Sequence, residues 1–378
     1  MHILQVGTFP YPSPQGSQVY VKGIIRSLVA AGHQVTLLCY GHGVGEVTLE
    51  QQEGIHIIRT PKIVGYQNMR AGPDWVKPCL DLMMALKMRR LQPDIIHVHN
   101  YEAPVVTILA KLFARNLRGI PMVYSAHNIM GEELPTYFSS PMMKRITKQV
   151  GRLMDATIPQ VAHHAIVLRQ PSLERLRKLG CQQVSVVRPS VDPTEFESLQ
   201  ELRKHCPLPL QSGQWVVYAG NPDAYQNLDI LIEAMNHLPD IGLVMVSASE
   251  TSHWQREQGR ILHVQTQSFV EVQHYIANAD LAVVPRMECT GFPIKILNYL
   301  MLECVTLVSE GSRVTLPGVI SFPNGDVATL VQKIKDCLGD DVGRKSLGIK
   351  ARKAILKHCT PASQATQLVE IYLSLLKT

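Results

Sequence analysis

The segment 290–300, TGFPIKILNYL, combines residue types and spacings that suit phosphate binding. It follows an apolar run at 281–285 that is typical of a buried strand. Gly291 and Pro293 predict a turn, and the apolar residues after them recur at helical spacing. A strand, a short turn and a helix bring backbone N–H groups and a helix N-terminus to one point, where α/β proteins hold phosphate. A plain strand–helix unit is the alternative, and this segment alone does not separate the two.

Two basic residues lie close to this segment. Lys295 falls in the first turn of the predicted helix, and Arg286 follows the predicted strand directly. Either cation could contact phosphate, and an arginine can bind two phosphate oxygens at once. A solvated surface position is the alternative for both residues.

Histidines lie at the ends of two other predicted strands. His127 ends an apolar strand, so we expect its side chain at the carboxyl edge of a parallel sheet, where such sheets bind ligands. A structural histidine bonded to a loop carbonyl is the alternative. His97 and His99 share another strand, and we expect them to face opposite sides, which argues against a shared metal. We expect His99, nearer the strand end, to line the site.

Strand and helix patterns alternate along the chain, and this alternation predicts parallel, doubly wound α/β sheets. Strand patterns fall near 3–6, 34–39, 55–58, 95–98, 121–124 and 165–168 in the first half. A polar, proline-bearing stretch follows at 188–214, and the alternation restarts at 215. We therefore predict an N-terminal domain at 1–190, a second domain at 191–355 and a C-terminal helix at 356–378.

Length and composition exclude several classes of protein. The chain has 378 residues, which is long for one core, and 46% hydrophobic against 18% charged residues, which is typical of a folded protein. The net charge of +6 suits an anionic ligand or membrane surface. No dense Lys/Arg block with interleaved aromatic residues is present, so we expect no nucleic-acid partner.

Eight cysteines are scattered without a C-x-x-C pair. This favours reduced thiols over a disulfide framework or a zinc site, and so indicates a cytoplasmic protein. The sequence begins with a strand pattern instead of a signal region, and no apolar run reaches about 18 residues.

The segment 142–154, MMKRITKQVGRLM, is basic and amphipathic. Such a helix could rest on an anionic bilayer, which would make the protein peripheral at the inner face of the membrane. A surface helix with its charged side in water is the alternative.

Seven segments, in order along nearly the whole chain, resemble those of the family 4 glycosyltransferases of the GT-B fold. Gly16 with the helix end AGHQVT resembles the family's N-terminal loop and RGHEVTV strand entry, and DIIHVH resembles a family segment of the same sequence. The others are VYSAHN, VVRPSVD, the region YAGN to YQNLD, the segment 290–300 and the loop at 319–326.

The resemblance implies two Rossmann-like domains facing a central cleft, with the final helix crossing back to the N-terminal domain. It implies transfer of a hexose-type sugar from a nucleotide diphosphate sugar, with a UDP-sugar favoured, and retention of configuration. The acceptor would be a carbohydrate, lipid or small molecule of cell-envelope or other glycoconjugate synthesis. Neither a metal nor a further cofactor is expected.

The resemblance also assigns residues to roles. His127 and Gly16 would align the sugar and the acceptor. The acceptor side would include Gln15, Ser17, His99 and Asn128. The donor would be bound by Gly220, Asn221, Gln226, Arg286, Thr290, Gly291, Phe292, Pro293, Ile294, Lys295 and Asn298.

Five of these positions depart from the family pattern. Asn221 and Gln226 stand where the family usually has an Arg and a Lys that bind the diphosphate, and Thr290 and Asn298 replace two glutamates. Gln15 also replaces a glycine. One interpretation is an active branch that uses other cations, such as Arg286 and Lys295. The other is a GT-B protein that has lost turnover and serves as a binding or partner subunit.

Overall fold

A computed structural model describes residues 1–11, 16–42, 55–63, 66, 74–204, 213–257, 259–289 and 291–377. The chain divides into two compact units. Unit 1 comprises residues 1–190 and 361–378, and unit 2 comprises residues 191–360.

Unit 1 is built on a parallel sheet. Its described strands are β1 (His2–Pro10), β2 (Gln34–Tyr40), β3 (Ile55–Arg59), β4 (Ile95–His99), β5 (Met122–Ala126), β6 (His164–Val167) and β7 (Val184–Val186), in the order β3-β2-β1-β4-β5-β6-β7. Its helices before the second unit are α1 (Gly16–Ala30), α2 (Lys77–Met88), α3 (Glu102–Phe113), α4 (Met130–Glu133), α5 (Pro141–Thr157) and α6 (Gln170–Lys178).

Unit 2 repeats this arrangement. Its described strands are β8 (Trp215–Ala219), β9 (Gly242–Ser247), β10 (Ile261–Gln265), β11 (Leu281–Val284), β12 (Thr306–Ser309) and β13 (Val319–Phe322), in the order β10-β9-β8-β11-β12-β13. Its helices are α7 (Leu199–Lys204), α8 (Leu228–Asn236), α9 (Phe269–Asn278), α10 (Lys295–Met301), α11 (Val327–Gly339) and α12 (Asp341–His358). The predicted α/β class, with two parallel Rossmann-like sheets, is confirmed.

The hydrophobic core of each unit is centred on the strands of its sheet. The central strands are almost entirely buried, as expected for parallel sheets covered by helices on both faces. In each sheet the strand order reverses beside the first strand, so β1 lies between β2 and β4, and β8 lies between β9 and β11. The carboxyl edge at such a reversal is where open α/β sheets bind ligands.

The last helix, α13 (Pro361–Leu376), belongs to unit 1. Its Gln364 accepts a hydrogen bond from Ser190 at 3.0 Å and donates one to the carbonyl of Arg188 at 2.9 Å. Helix α12 continues to His358, so the chain re-enters unit 1 at residue 361 instead of the expected 356.

Candidate functional site

Helix α10 is fastened to the end of β8 by Tyr299. The Tyr299 hydroxyl donates to the carbonyl of Ala219 at 3.0 Å and accepts from its N–H at 2.8 Å. Lys295 precedes Tyr299 by four residues and therefore lies on the same face of the helix. These two contacts hold Lys295 above the carboxyl end of β8.

The ammonium group of Lys295 is held by two polar atoms. Nζ donates to the Tyr218 hydroxyl at 2.9 Å and to Oε1 of Gln226 at 3.2 Å. It also lies 4.3 Å from the centroid of the Tyr218 ring, a distance at which a cation is attracted to an aromatic face. Unit 2 therefore holds a partly buried cation at the strand-order reversal.

Gly220 makes room for this cation. Its φ of +145° is in the range that favours glycine, and a Cβ there would lie 2.6 Å from Lys295 Nζ. Any larger residue at 220 would have to displace the ammonium group. Gly220, predicted to bind the donor, thus also determines where Lys295 lies.

The two neutral departures from the family pattern are joined to Lys295. Gln226 is buried, and its Nε2 donates to Oδ1 of Asn221 at 2.7 Å, while its Oε1 accepts from Lys295. The Asn221 amide donates in turn to the Tyr225 hydroxyl at 2.7 Å. The amides at 221 and 226 therefore position a lysine that comes from another part of the chain.

Arg286 supplies a second cation nearby. Its guanidinium lies over the Tyr225 ring, 4.7 Å from the centroid, and its Nε donates to the carbonyl of Glu288 at 2.7 Å. Asn227 connects the same elements, because its Oδ1 accepts the N–H of Met287 at 3.0 Å.

The environment of Lys295 lowers the pKa of its ammonium group. Burial and the positive charge of Arg286 lower the pKa of Lys295 to about 7, while Cys289 and Asp223 partly oppose this change. An anion bound beside the ammonium group would favour its charged form. A phosphate ligand would therefore bind together with a proton near neutral pH.

The turn before α10 completes this group. Phe292 and Pro293 are buried, Gly291 and Ile294 are half-buried, and the carbonyl of Gly291 accepts a hydrogen bond from Cys289 Sγ at 3.3 Å. Asn298 is half-buried on α10, and Thr290 lies outside the described residues. The N–H groups of Ile296 and Leu297, in the first turn of α10, donate to the carbonyls of Pro293 and Ile294 at 3.0 and 2.9 Å.

Unit 1 carries a second polar cluster, of histidines. His99 Nδ1 lies 3.0 Å from His127 Nε2, and His99 Nε2 lies 2.6 Å from Gln5 Oε1. His97 contacts the Tyr372 hydroxyl of α13 and the Ser125 hydroxyl, each at 2.7 Å. Burial lowers the pKa of His97 and of His127 to about 3 and that of His99 well below its usual range, so all three rings are neutral at physiological pH.

Two expectations about these histidines are wrong. Residues two apart in a strand share a face, and the rings of His97 and His99 lie on the same side, 4.4 Å apart. His99 also does not line a surface, because it is fully buried and both its ring nitrogens are engaged. It lies behind His127 and supports it.

Three of the other predicted unit 1 residues lie in the described part of the chain. Gly16 and Ser17 begin α1, and no described atom lies within 4 Å of where a Gly16 Cβ would be. Asn128 is half-buried and bonds to Glu133, whose pKa is raised by burial. Gln15 lies outside the described residues.

Sequence patterns missed several residues that hold these groups. Tyr299 could have been found from its i, i+4 spacing to Lys295, and Tyr218 from its place at a strand end. Gln5 and Tyr372 gave no local signal, since each meets its partner through tertiary packing. Among the described residues, no group of three or more His, Cys, Asp or Glu side chains could hold a metal ion.

Comparisons with known proteins agree with this architecture. A family profile described as Glycosyltransferase Family 4 matches residues 14–195, and one described as Glycosyl transferases group 1 matches residues 213–340. The two profiles together cover most of both units. No curated protein sequence matches the chain significantly.

Solved structures of GT-B glycosyltransferases share the fold. Sucrose-phosphate synthase from Thermosynechococcus elongatus is 16% identical, with a TM-score of 0.81 over 100% of this chain and 99% of that chain. HepE of Anabaena in complex with UDP is 15% identical, with a TM-score of 0.72, and the match covers 99% of this chain and 100% of that chain. Trehalose 6-phosphate synthase from Burkholderia multivorans is 12% identical, with a TM-score of 0.72, and the match covers 99% of this chain and 96% of that chain.

The fold and the profiles define the class of protein as a GT-B glycosyltransferase. Within that class the two profiles and the shared fold support a resemblance to the family 4 glycosyltransferases. The predicted family resemblance is confirmed.

Proposed function

We propose that this protein transfers a hexose-type sugar from a nucleotide diphosphate sugar to an acceptor, with retention of configuration and without a metal. A UDP-sugar is the favoured donor, since HepE, which has the same fold, was solved with UDP-glucose. The acceptor is a carbohydrate, a lipid or a small molecule. In this proposal unit 2 binds the donor, and His127 and Gly16 of unit 1 align the sugar and the acceptor.

The observation that carries this proposal is the position of Lys295. Breaking the glycosidic bond leaves negative charge on the departing diphosphate, and catalysis requires that charge to be stabilised. The family's usual cations are absent at 221 and 226, but Lys295 Nζ lies 3.2 Å from Gln226 Oε1, with Arg286 close by. A relocated cation favours an active donor site over a binding subunit that has lost turnover.

Turnover of a nucleotide-sugar panel tests this function. The purified protein is incubated with UDP-, GDP- and ADP-sugars and with candidate acceptors, and release of nucleoside diphosphate is measured with and without EDTA. We expect release from one nucleotide class, unaffected by EDTA, and NMR of the product should show the donor's anomeric configuration. A partner subunit without turnover would release nothing from any donor.

We also propose that α5 rests on an anionic membrane surface. This helix packs on unit 1 through a narrow buried strip of Thr147, Gly151 and Asp155. Large apolar side chains on the remaining surface are exposed, with Met142 73% and Leu153 64% exposed. Ile146 and Val150, also exposed, continue this apolar stripe at helical spacing.

The charge of α5 complements anionic lipid. Four exposed basic residues, Lys144, Arg145, Lys148 and Arg152, lie beside the apolar stripe. The one acidic residue of the helix, Asp155, is buried and accepts the N–H groups of α4. Among the described residues no helix is long and apolar enough to cross a membrane. An amphipathic helix such as α5 lies in the plane of the membrane surface, so the proposed contact is peripheral.

Vesicle sedimentation tests this surface. The protein should bind vesicles containing phosphatidylglycerol, and Lys144→Glu with Arg145→Glu should weaken binding by about tenfold or more, since each basic residue near an anionic surface contributes about 1 kcal/mol. Lys350→Glu with Lys353→Glu, which changes the charge equally on exposed positions of α12, should have little effect. Equal losses from both pairs would show a general charge effect, and a lack of binding to any vesicle would eliminate this surface.

A further inference from the structure

A chain of hydrogen bonds runs through the buried centre of unit 1 from Gln5 to His127. Gln5 and His99 are fully buried, and His127 is 5% exposed. The contacts are 2.6 Å between Gln5 and His99 and 3.0 Å between His99 and His127. The Tyr20 and His127 rings pack at right angles with their centroids 5.0 Å apart, which restrains the plane of the imidazole.

Each imidazole in this chain is neutral. Burial lowers the pKa of His99 and His127 far below physiological pH. A neutral imidazole has one N–H donor and one nitrogen that can only accept. The hydrogen bonds therefore determine which nitrogen of each ring carries the proton.

Gln5 determines which nitrogen donates and which accepts in each hydrogen bond from Gln5 to His127. Its Oε1 can only accept, so His99 donates from Nε2 and is left with an acceptor at Nδ1. His127 must then donate from Nε2, which leaves a lone pair on its Nδ1.

The Gln5 amide presents its oxygen to His99, and its Nε2 is buried without a hydrogen-bond partner among the described residues. A neighbouring chain joins Tyr372 to His97 and His97 to Ser125, each at 2.7 Å.

The end of the chain has no protein partner. Nδ1 of His127 is buried and has no hydrogen-bond partner among the described residues. A buried acceptor without a donor is costly in the absence of a ligand. Hydroxyl groups, which sugars carry in abundance, can supply that donor.

We infer that Gln5 and His99 are positioning residues that hold His127 in its Nε2–H tautomer, so that Nδ1 accepts a hydrogen bond from a sugar hydroxyl. This inference rests on the proposed function for the identity of the ligand. The hydroxyl belongs either to the donor sugar or to the acceptor, and the two share the same chemistry.

The tautomer is measured first, by nitrogen NMR of protein labelled at its histidine rings. The His127 signals are identified by their absence in His127→Gln. We expect Nδ1 of His127 to be unprotonated and Nε2 protonated in the wild type. A protonated Nδ1 would overturn the inference, and this result does not depend on any enzymatic activity.

Kinetics then test the positioning role. Gln5→Met removes the acceptor that orients His99, and we expect kcat to fall about tenfold or more, as for loss of one hydrogen bond in the transition state. The affinity for UDP should be unchanged, since UDP binding is assigned to unit 2. Gln5→Glu, which keeps an acceptor at the same place, should restore the His127 tautomer and most of kcat. If Gln5→Met does not fold, His99→Gln provides the same readouts.

Deoxygenated substrates identify the source of the hydroxyl. The penalty of Gln5→Met should disappear with a deoxy donor if the hydroxyl belongs to the donor sugar, and with a deoxy acceptor if it belongs to the acceptor. A fall in UDP affinity equal to the fall in kcat would indicate general damage and overturn the positioning role. Absence of turnover with every donor would contradict the proposed function alone, because the NMR measurement still decides the tautomer.

Discussion

Replacing Lys295 by methionine should weaken binding of UDP about ten- to hundredfold, since a hydrogen bond to a charged group contributes roughly 1.5–3 kcal/mol. Methionine has a similar length and keeps the packing against Tyr218 while it removes the charge. Isothermal titration with UDP measures the effect. Lys335→Met removes an exposed lysine from α11 in the same unit and should leave the affinity unchanged. Equal affinity of Lys295→Met and the wild type would show that the diphosphate does not meet Lys295.

The pH dependence of binding gives a second readout of the same site. The pKa of Lys295 is about 7 in the free protein, and a bound diphosphate raises it. Affinity is therefore greatest below that pKa and falls as the pH rises above it, by up to about tenfold per pH unit. Lys295→Arg, which stays charged, should bind with little change over the same range.

Acid should destabilise this protein strongly because three histidines are buried in their neutral form. His97, His99 and His127 have pKa values far below 6.5 in the folded chain, so the unfolded chain binds protons that the folded chain does not. Their contribution to stability is complete above the unfolded pKa and is lost as the pH falls from 6.5 toward 3. Between about pH 7.5 and pH 5.5 each costs about 1.4 kcal/mol, or about 4 kcal/mol together.

Urea unfolding of unit 1, followed at several pH values, measures this loss. His97→Gln removes one titrating group and keeps hydrogen-bonding capacity, so its stability should fall by about 1.4 kcal/mol less than that of the wild type over the same range. Replacing an exposed histidine instead, as in His358→Gln, should leave the pH dependence unchanged. A variant at 97 with the full wild-type pH dependence would mean that His97 is not buried in its neutral form.

The sequence predicted the two sheets because parallel strands buried on both faces are continuous apolar runs. Runs such as 95–98 and 281–284 are visible without any tertiary information. The family resemblance was predictable for a related reason, since its motifs occupy short segments at the strand ends.

The arrangement of the candidate sites was harder to predict because it depends on contacts distant in the chain. Lys295 contacts Gln226, which lies 69 residues earlier in the chain. The sequence alone therefore does not show that Lys295 lies beside the position 226 where the family's lysine is missing. His97 meets Tyr372 across 275 residues, so the final helix gave no sign that it contributes to a polar core. The error about His97 and His99 is different, since the period of a strand alone places both on one face.

Thermal stabilisation by nucleotides tests most directly whether unit 2 holds a working donor site. A ligand that binds only the folded state raises the melting temperature by mass action. We predict a rise with one base only, larger for its diphosphate than for its monophosphate, and lost in Gly291→Asp, which places a negative charge beside α10. No rise with any nucleotide would contradict the account, because the cations at 286 and 295 would then not replace those missing at 221 and 226.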